Sequence, residues 1–442
     1  MAGVTRFFQG ITSLKRITAY PIPESANLAG AGLPVRSLTV TTNAMHYQDR
    51  QARGSSAIFD RLTEGRYYTL ELETDLSYQN LGELILACGL GAVNNAGQKV
   101  AGKQNTYEYG YYMIDDPTHF FNMAVNLQVT DEYNETGIYE YSGCIPTSIS
   151  IAGRSGTEPV RLRATLLAFD ELHRLTTSLA SDISSTATVV PASGKGAFFD
   201  ERGYIVLDDG SNKEYVLYRG IDRANNKFLD CLRGQLGSAP HAFSATTPPT
   251  GITSLSATVG MDEVTIPSVP SVEWDDLVFR INPSSAAALT DAHAKSIAGF
   301  TLTINLALRQ RVGQAGFLQQ PIKVDLNEVT LAVDRHQIDE NRPRFDLRND
   351  TTYKAELVFT NPHLVDQSDA LPYRLTVQLP RLKFTDAPRS LGRGGEIAPT
   401  DTYAVLENDQ PAGMSTLIDG ATLFTRELSL IFRNGRPAGL LG

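Results

Sequence analysis

Residues 300–308 read FTLTINLAL, and they limit what this chain can fold into more tightly than any other stretch. Phe300, Leu302, Ile304, Leu306 and Leu308 are apolar, while Thr301, Thr303 and Asn305 between them are polar. A period of two buries one face of a β-strand and leaves the other face polar. Residues 68–76, YTLELETDL, repeat the pattern. In register, Thr69 and Thr301, Leu70 and Leu302, and Leu76 and Leu308 are identical, and Tyr68 matches Phe300 as Leu72 matches Ile304. A chain that does this twice is expected to hold a duplicated β-domain.

The flanks extend the expectation. Alternating strands are predicted at residues 36–42, 121–129, 138–141, 145–152 and 160–169 in the first half. In the second half they fall at 277–281, 328–333, 353–359, 373–379, 382–384 and 426–432. Apolar parity slips between 379 and 382, and Pro380 sits at the slip, so a β-bulge or sharp bend is expected there. The polar segments 43–65 and 91–110 read as loops. One helix is expected after residue 76. Leu81, Leu84, Ile85 and Cys88 form a stripe at i, i+3, i+4 and i+7, with Ser77 or Asn80 to cap it and Gly89 to stop it.

Composition sets the remaining bounds. The length, 442 residues, suits about three domains. Lys+Arg of 39 against Asp+Glu of 49 gives a net charge of −10, which excludes the basic footprint of a nucleic-acid-gripping protein. Residues 172–252 hold eight acids and eight bases, so the acidic surplus lies in the flanks. That block is bracketed by Ser/Thr- and Pro-rich ends and contains a hairpin signal, GYIVLDDGSNKEYVLY. It reads as a small inserted β-module. The expected segments are an N-terminal arm (1–34), a first β-domain (35–171), the insert (172–252) and a second β-domain (253–442). Cys88, Cys144 and Cys231 are odd in number and far apart, as in buried thiols of a reducing compartment. No apolar run approaches the ~20 residues of a membrane helix, so no membrane partner is expected and the chain is expected to fold in a cytosol.

Chemistry is sparse. The SGKG run at residues 193–196 has Val189 where a phosphate loop needs glycine. His46, His119, His173, His241, His293, His336 and His363 are scattered, none at ligand spacing. The acid pairs Asp115–Asp116, Asp208–Asp209 and Asp275–Asp276 stand at turns or open a strand, where solvated acids sit, rather than in the opposed environments of a catalytic pair. Trp274 reads as a core or interface anchor. The run YEYGYY at 107–112 reads as cross-strand packing, with a carbohydrate-binding face as the alternative. No catalytic, cofactor-binding or metal-binding residues are expected, and an enzyme is not.

Three stretches together carry a resemblance: YSGCIPTSISIAGRSGTEPVRLRATLLAF at 141–169, IAGFTLTINLALRQ with NEVTLAV at 297–333, and YRLTVQLPRLKFT at 373–385. In this order they resemble the tail tube proteins of long-tailed bacteriophages. Leu326 and Asn327 stand where members of that family often have Gly-Arg before the E-V-T strand. The insert is similar to a small β-module embedded in various phage tail and baseplate proteins.

The resemblance implies a mainly β fold with duplicated tube-type sandwich or barrel domains, a short helix and an inserted β-domain. It implies a virion protein, assembled in a host cytoplasm, whose rings stack into a hollow conduit for DNA. Two tube domains per chain imply homotrimeric, pseudo-hexameric rings. Implied partners are further copies of the chain, a tape measure protein, and tail-tip or terminator proteins, with DNA passing unbound. A baseplate hub or terminator, or a carbohydrate-binding tail adhesin, is the alternative. The acidic balance leads to the expectation of a net negative lumen. Ring-to-ring contacts are expected from the arm and from loops 43–65 and 91–110, with the insert projecting outward.

Overall fold

The alternating segments pair as antiparallel strands, and the chain is mainly β with a single α-helix among the described residues. The structure is a computed structural model. It describes residues 11–17, 32–48, 61–91, 98–113, 119–127, 137–156, 158–173, 175–194, 199, 201–254, 266, 268–286, 288–312, 318–323, 325–335, 349–386, 400–407, 427–437 and 440. Two compact units divide the chain: residues 31–121, 144–169 and 265–442 form one, and residues 1–30, 122–143 and 170–264 the other.

The larger unit is built on eight strands in one continuous antiparallel sheet. Their order is Ser37–Gln48, Arg61–Asp75, Arg161–Ala168, Gly137–Arg154, Gly299–Asn305, Glu328–Asp334, Thr400–Leu406 and the C-terminal half of Leu371–Asp386. Taken in chain order, the first four strands lie side by side as 1-2-4-3, and so do the second four. Strands 1 and 2 of the first set are joined by an extended hairpin paired out to Gln48 and Arg61. In the second set a hairpin, Leu308–Val312 with Leu318–Lys323, lies between strands 1 and 2. In the larger unit residues 374–378 pair with residues 429–433, the segment that follows strand 4 of the second set; in the smaller unit residues 139–142 pair with Asp170–His173.

Period-two patterning produces the layering. A row running straight across the sheet reads Leu38, Leu72, Ala164, Ile149, Ile304, Val329, Val405, Leu382. All but Leu38, on the edge strand, are buried. Each buried large aliphatic side chain here contributes about 1.5–3 kcal/mol of transfer free energy. The helix Gly82–Leu90 packs on this face, and Gly89 approaches so closely that a Cβ would meet Ile149 Cδ1 at 2.7 Å.

Four expectations are corrected. Within segment 43–65 the described residues 43–48 and 61–65 are paired strands rather than loop, because backbone pairing on an edge strand does not require apolar side chains; residues 49–60 lie outside the described residues. Segment 91–110 contains the strands Gln98–Lys99 and the start of Tyr107–Tyr112. The helix has no single apolar stripe, since all nine residues are buried, and Gly91 (φ 114°), not Gly89, closes it by donating its N–H to Ala87 O. The matched stretches 68–76 and 300–308 occupy different places: the former lies in strand 2 of its set, the latter begins in strand 1. By position, Gly299–Asn305 corresponds to Ser37–Gln48, where LTVT at 38–41 parallels LTIN at 302–305. The bend at Pro380 is present as a bulge, with register advancing from Ala355↔Leu379 to Tyr353↔Leu382.

The insert has its own core of Leu179, Ile183, Val190, Phe199, Ile205, Leu207, Val216, Tyr218, Phe228, Phe243 and Ile252 with smaller neighbours. A five-stranded sheet runs Thr176–Ser178, Gly251–Ser254, Gly203–Asp208, Lys213–Tyr218, Leu232–Gln235. A three-stranded one runs Val190–Pro191, Lys227–Leu229, Gly220–Asp222. Its first and last strands pair (Thr176↔Thr253), so the chain enters and leaves side by side.

Candidate functional site

The residues singled out for chemistry do not converge. Asp208 accepts the Gly210 amide at 2.7 Å. Asp209 accepts the amides of Ser211 (2.9 Å) and Asn212 (2.7 Å), and these amides hold its carboxyl below the usual range. Asp276 accepts Tyr78 Oη at 2.9 Å and Asn361 Nδ2 at 3.0 Å, tying a 3-10 turn to the core, while Asp275 is exposed. Asp115–Asp116 and His336 lie outside the described residues. His293 caps a 3-10 turn through Thr290 N at 3.0 Å, and His241 packs on Phe243. Among the described residues no cluster of His, Cys, Asp and Glu could hold a metal. The three cysteines are buried and unpaired with one another, and burial pushes the Cys231 thiol up to about 12. Trp274 stacks on Phe300 at 6.3 Å. Within 107–112, Tyr109 and Tyr111 are buried, Tyr111 edge-on to Phe432 at 5.8 Å, so half of this aromatic run is core.

The polar face of the eight-stranded sheet is organised instead. Its central rows read Ser37, Glu73, Arg163, Ser150, Thr303, Thr330, Ala404, Lys383 and Thr39, Glu71, Thr165, Ser148, Asn305, Glu328. Ser148 Oγ bonds Asn305 Oδ1 at 3.0 Å, and Glu73 takes both Arg161 (3.2 Å) and Arg163 (3.0 Å). The described charges on this face are Glu71, Glu73, Asp75, Glu328 and Asp334 against Arg154, Arg161, Arg163, Arg381 and Lys383. Five of each sign surround a hydroxyl- and amide-lined middle. Among the described strand residues of this face the two signs are equal in number, and Arg36 and Glu158 at its margin pair with Asp75 and Arg161. The edge strand Ser37–Gln48 pairs on one side only among the described strands, and Ser37, Thr39, Thr41 and Thr42 are exposed.

Sequence reasoning missed two fully buried carboxylates. Glu83, on the helix, accepts Arg436 Nη2 at 2.5 Å, Tyr111 Oη at 3.1 Å and Asn434 Nδ2 at 3.2 Å. Loss of hydration outweighs these donors and pushes its carboxyl up to about 7. Glu214, in the insert, accepts the Arg233 fork (Nε 2.8 Å, Nη2 2.6 Å) and the amides of Gly234 (2.8 Å) and His241 (2.9 Å). Burial works against its charge, but these four donors prevail and hold the carboxyl below its usual range. The partners stand 353 and 19 residues away, and only the second separation is short enough to suggest a local pair.

No protein-family model matches the chain, and no curated protein matches it either. No helix among the described residues is long and apolar enough to cross a membrane.

Proposed function

We propose that this chain is a structural subunit of a phage-type tail tube, forming rings that stack into a hollow conduit for DNA. The single observation that carries the reading is the strand order. Two four-stranded sets, each 1-2-4-3 with an extended hairpin between strands 1 and 2, continue into one another as one sheet. A chain built by duplicating a ring-forming unit has this character. The first two of the stretches that carry the resemblance supply four consecutive strands of that sheet, and the third supplies the strand beyond Thr400–Leu406.

An open Thr-rich edge strand at one end suits edge-to-edge closure into a ring, which also removes the exposed edge. Two sets per chain make three chains complete a pseudo-sixfold ring. The polar face would line the lumen. There a balanced, hydroxyl-lined wall offers phosphates no net positive field, so DNA slides past. Tape measure, terminator and tail-tip proteins are the partners this role requires.

Negative-stain electron microscopy across protein and salt concentration tests the reading. Stacked rings or hollow tubes are expected. A chain that stays monomeric throughout and instead binds host glycans would move it to the adhesin class.

A further inference from the structure

Three guanidinium groups share one side of neighbouring strands, Arg374 on Leu371–Asp386, Arg433 on Ser429–Asn434 and Arg280 on Leu277–Pro283, and only the last two form ion pairs. Arg433 Nη2 and Nε bind Glu108 at 2.6 and 2.8 Å. Arg280 meets Asp291 at 2.6 Å and Glu356 at 3.6 Å. Arg374 lies directly across the ladder from Arg433. It is half-buried, its Nε is buried without a hydrogen-bond partner, and no described carboxylate pairs with it. Burial and the nearby Arg433 and Arg280 press its guanidinium towards losing charge, with Glu108 and Glu356 only partly offsetting them. Like charges directly opposite on neighbouring strands are destabilising, and a desolvated cation without a partner is costly.

We infer that Arg374, flanked by Arg433, is a docking point for an acidic side chain of a second copy of this chain. The inference rests on the ring reading above, because a ring sets a second copy against every copy. The chain supplies the complementary charge, with 49 acids against 39 bases. A planar fork that is half-buried and unpaired in one copy is suited to a bidentate carboxylate from the next.

The test compares the full-length wild type with Arg374→Met, which keeps the apolar stem, by sedimentation over a concentration series with added sodium chloride or inorganic phosphate. The expected result is at least a tenfold higher concentration for Arg374→Met to assemble. Its unassembled melting temperature should be no lower than that of the wild type, since removing an unpaired cation opposite Arg433 relieves repulsion. A side chain with a merely structural role would lower it. Arg374→Gln repeats the measurement should the methionine variant fail to fold. Assembly of the variants at wild-type concentration overturns the docking role while leaving the ring reading intact. A wild type that never assembles overturns the ring reading and this inference with it. Phosphate that stabilises the wild-type monomer, with assembly unchanged in the variants, assigns the site to a small anion instead.

Discussion

Glu83 and Glu214 are both fully buried and both face an arginine, yet their carboxyls move in opposite directions. The difference lies in who donates. Glu214 sits near the start of Lys213–Tyr218, beside the edge strand Leu232–Gln235, where the Arg233 fork reaches both oxygens and two backbone amides add to it. Glu83 receives one guanidinium nitrogen, a phenol and a side-chain amide, the last two at over 3 Å. Backbone amides and a bidentate fork replace lost hydration, whereas single long bonds do not. One ion pair is therefore a local staple of a small module. The other anchors the end of the last described strand to the helix and can shed its charge.

Removing Arg233 is the hardest test of that contrast. Arg233→Met leaves a buried carboxylate with two backbone amides as its remaining donors, and should cost about 3–5 kcal/mol. Hydrogen exchange should show the loss at insert amides such as Val216, with Gly299–Asn305 unaffected. For pH the signs oppose. Glu83 has a folded pKa above its ordinary value, so its contribution is complete below about 4.5 and is lost as pH rises through about 7. Between pH 5 and 8, wild type should lose about 2–3 kcal/mol relative to Glu83→Gln in denaturant titrations. Glu214 is held low, so its contribution is present above about 4.5 and is lost as pH falls further.

Arg436→Met should cost about 2 kcal/mol at pH 8 and less at pH 5, because Glu83 can take up a proton when its partner is gone. An equal cost at both pH values would show that Glu83 stays ionised. The smallest effect is expected from Tyr111→Phe, about 1 kcal/mol, with the Glu83 titration moving further up in the same profile.

Strand content was legible in the sequence because period two is imposed wherever one face is buried, as at Phe300, Leu302 and Ile304. The bulge at Pro380 was legible for the same reason, as a slip in parity. Edge strands were not. Segment 43–48 continues the backbone ladder with residues 61–67, and its polarity disguised it as a loop. The two similar strings do not occupy equivalent places in the sheet. YTLELETDL and FTLTINLAL match because both are half-buried strands, whereas their places in the sheet are fixed by pairings that a short string does not encode. The strands Thr176–Ser178 and Gly251–Ser254, which pair with each other, fall in the Ser/Thr- and Pro-rich stretches where composition changes. Glu83 and Arg436, 353 residues apart, left no local signal.

The central claim is that one chain supplies two ring-forming sets of strands. Native mass spectrometry of the assembled protein tests it most directly. Rings of three copies, with larger species in multiples of three, are the predicted result. Six-copy rings would contradict the duplication, and a monomer that persists at every concentration would contradict ring formation itself.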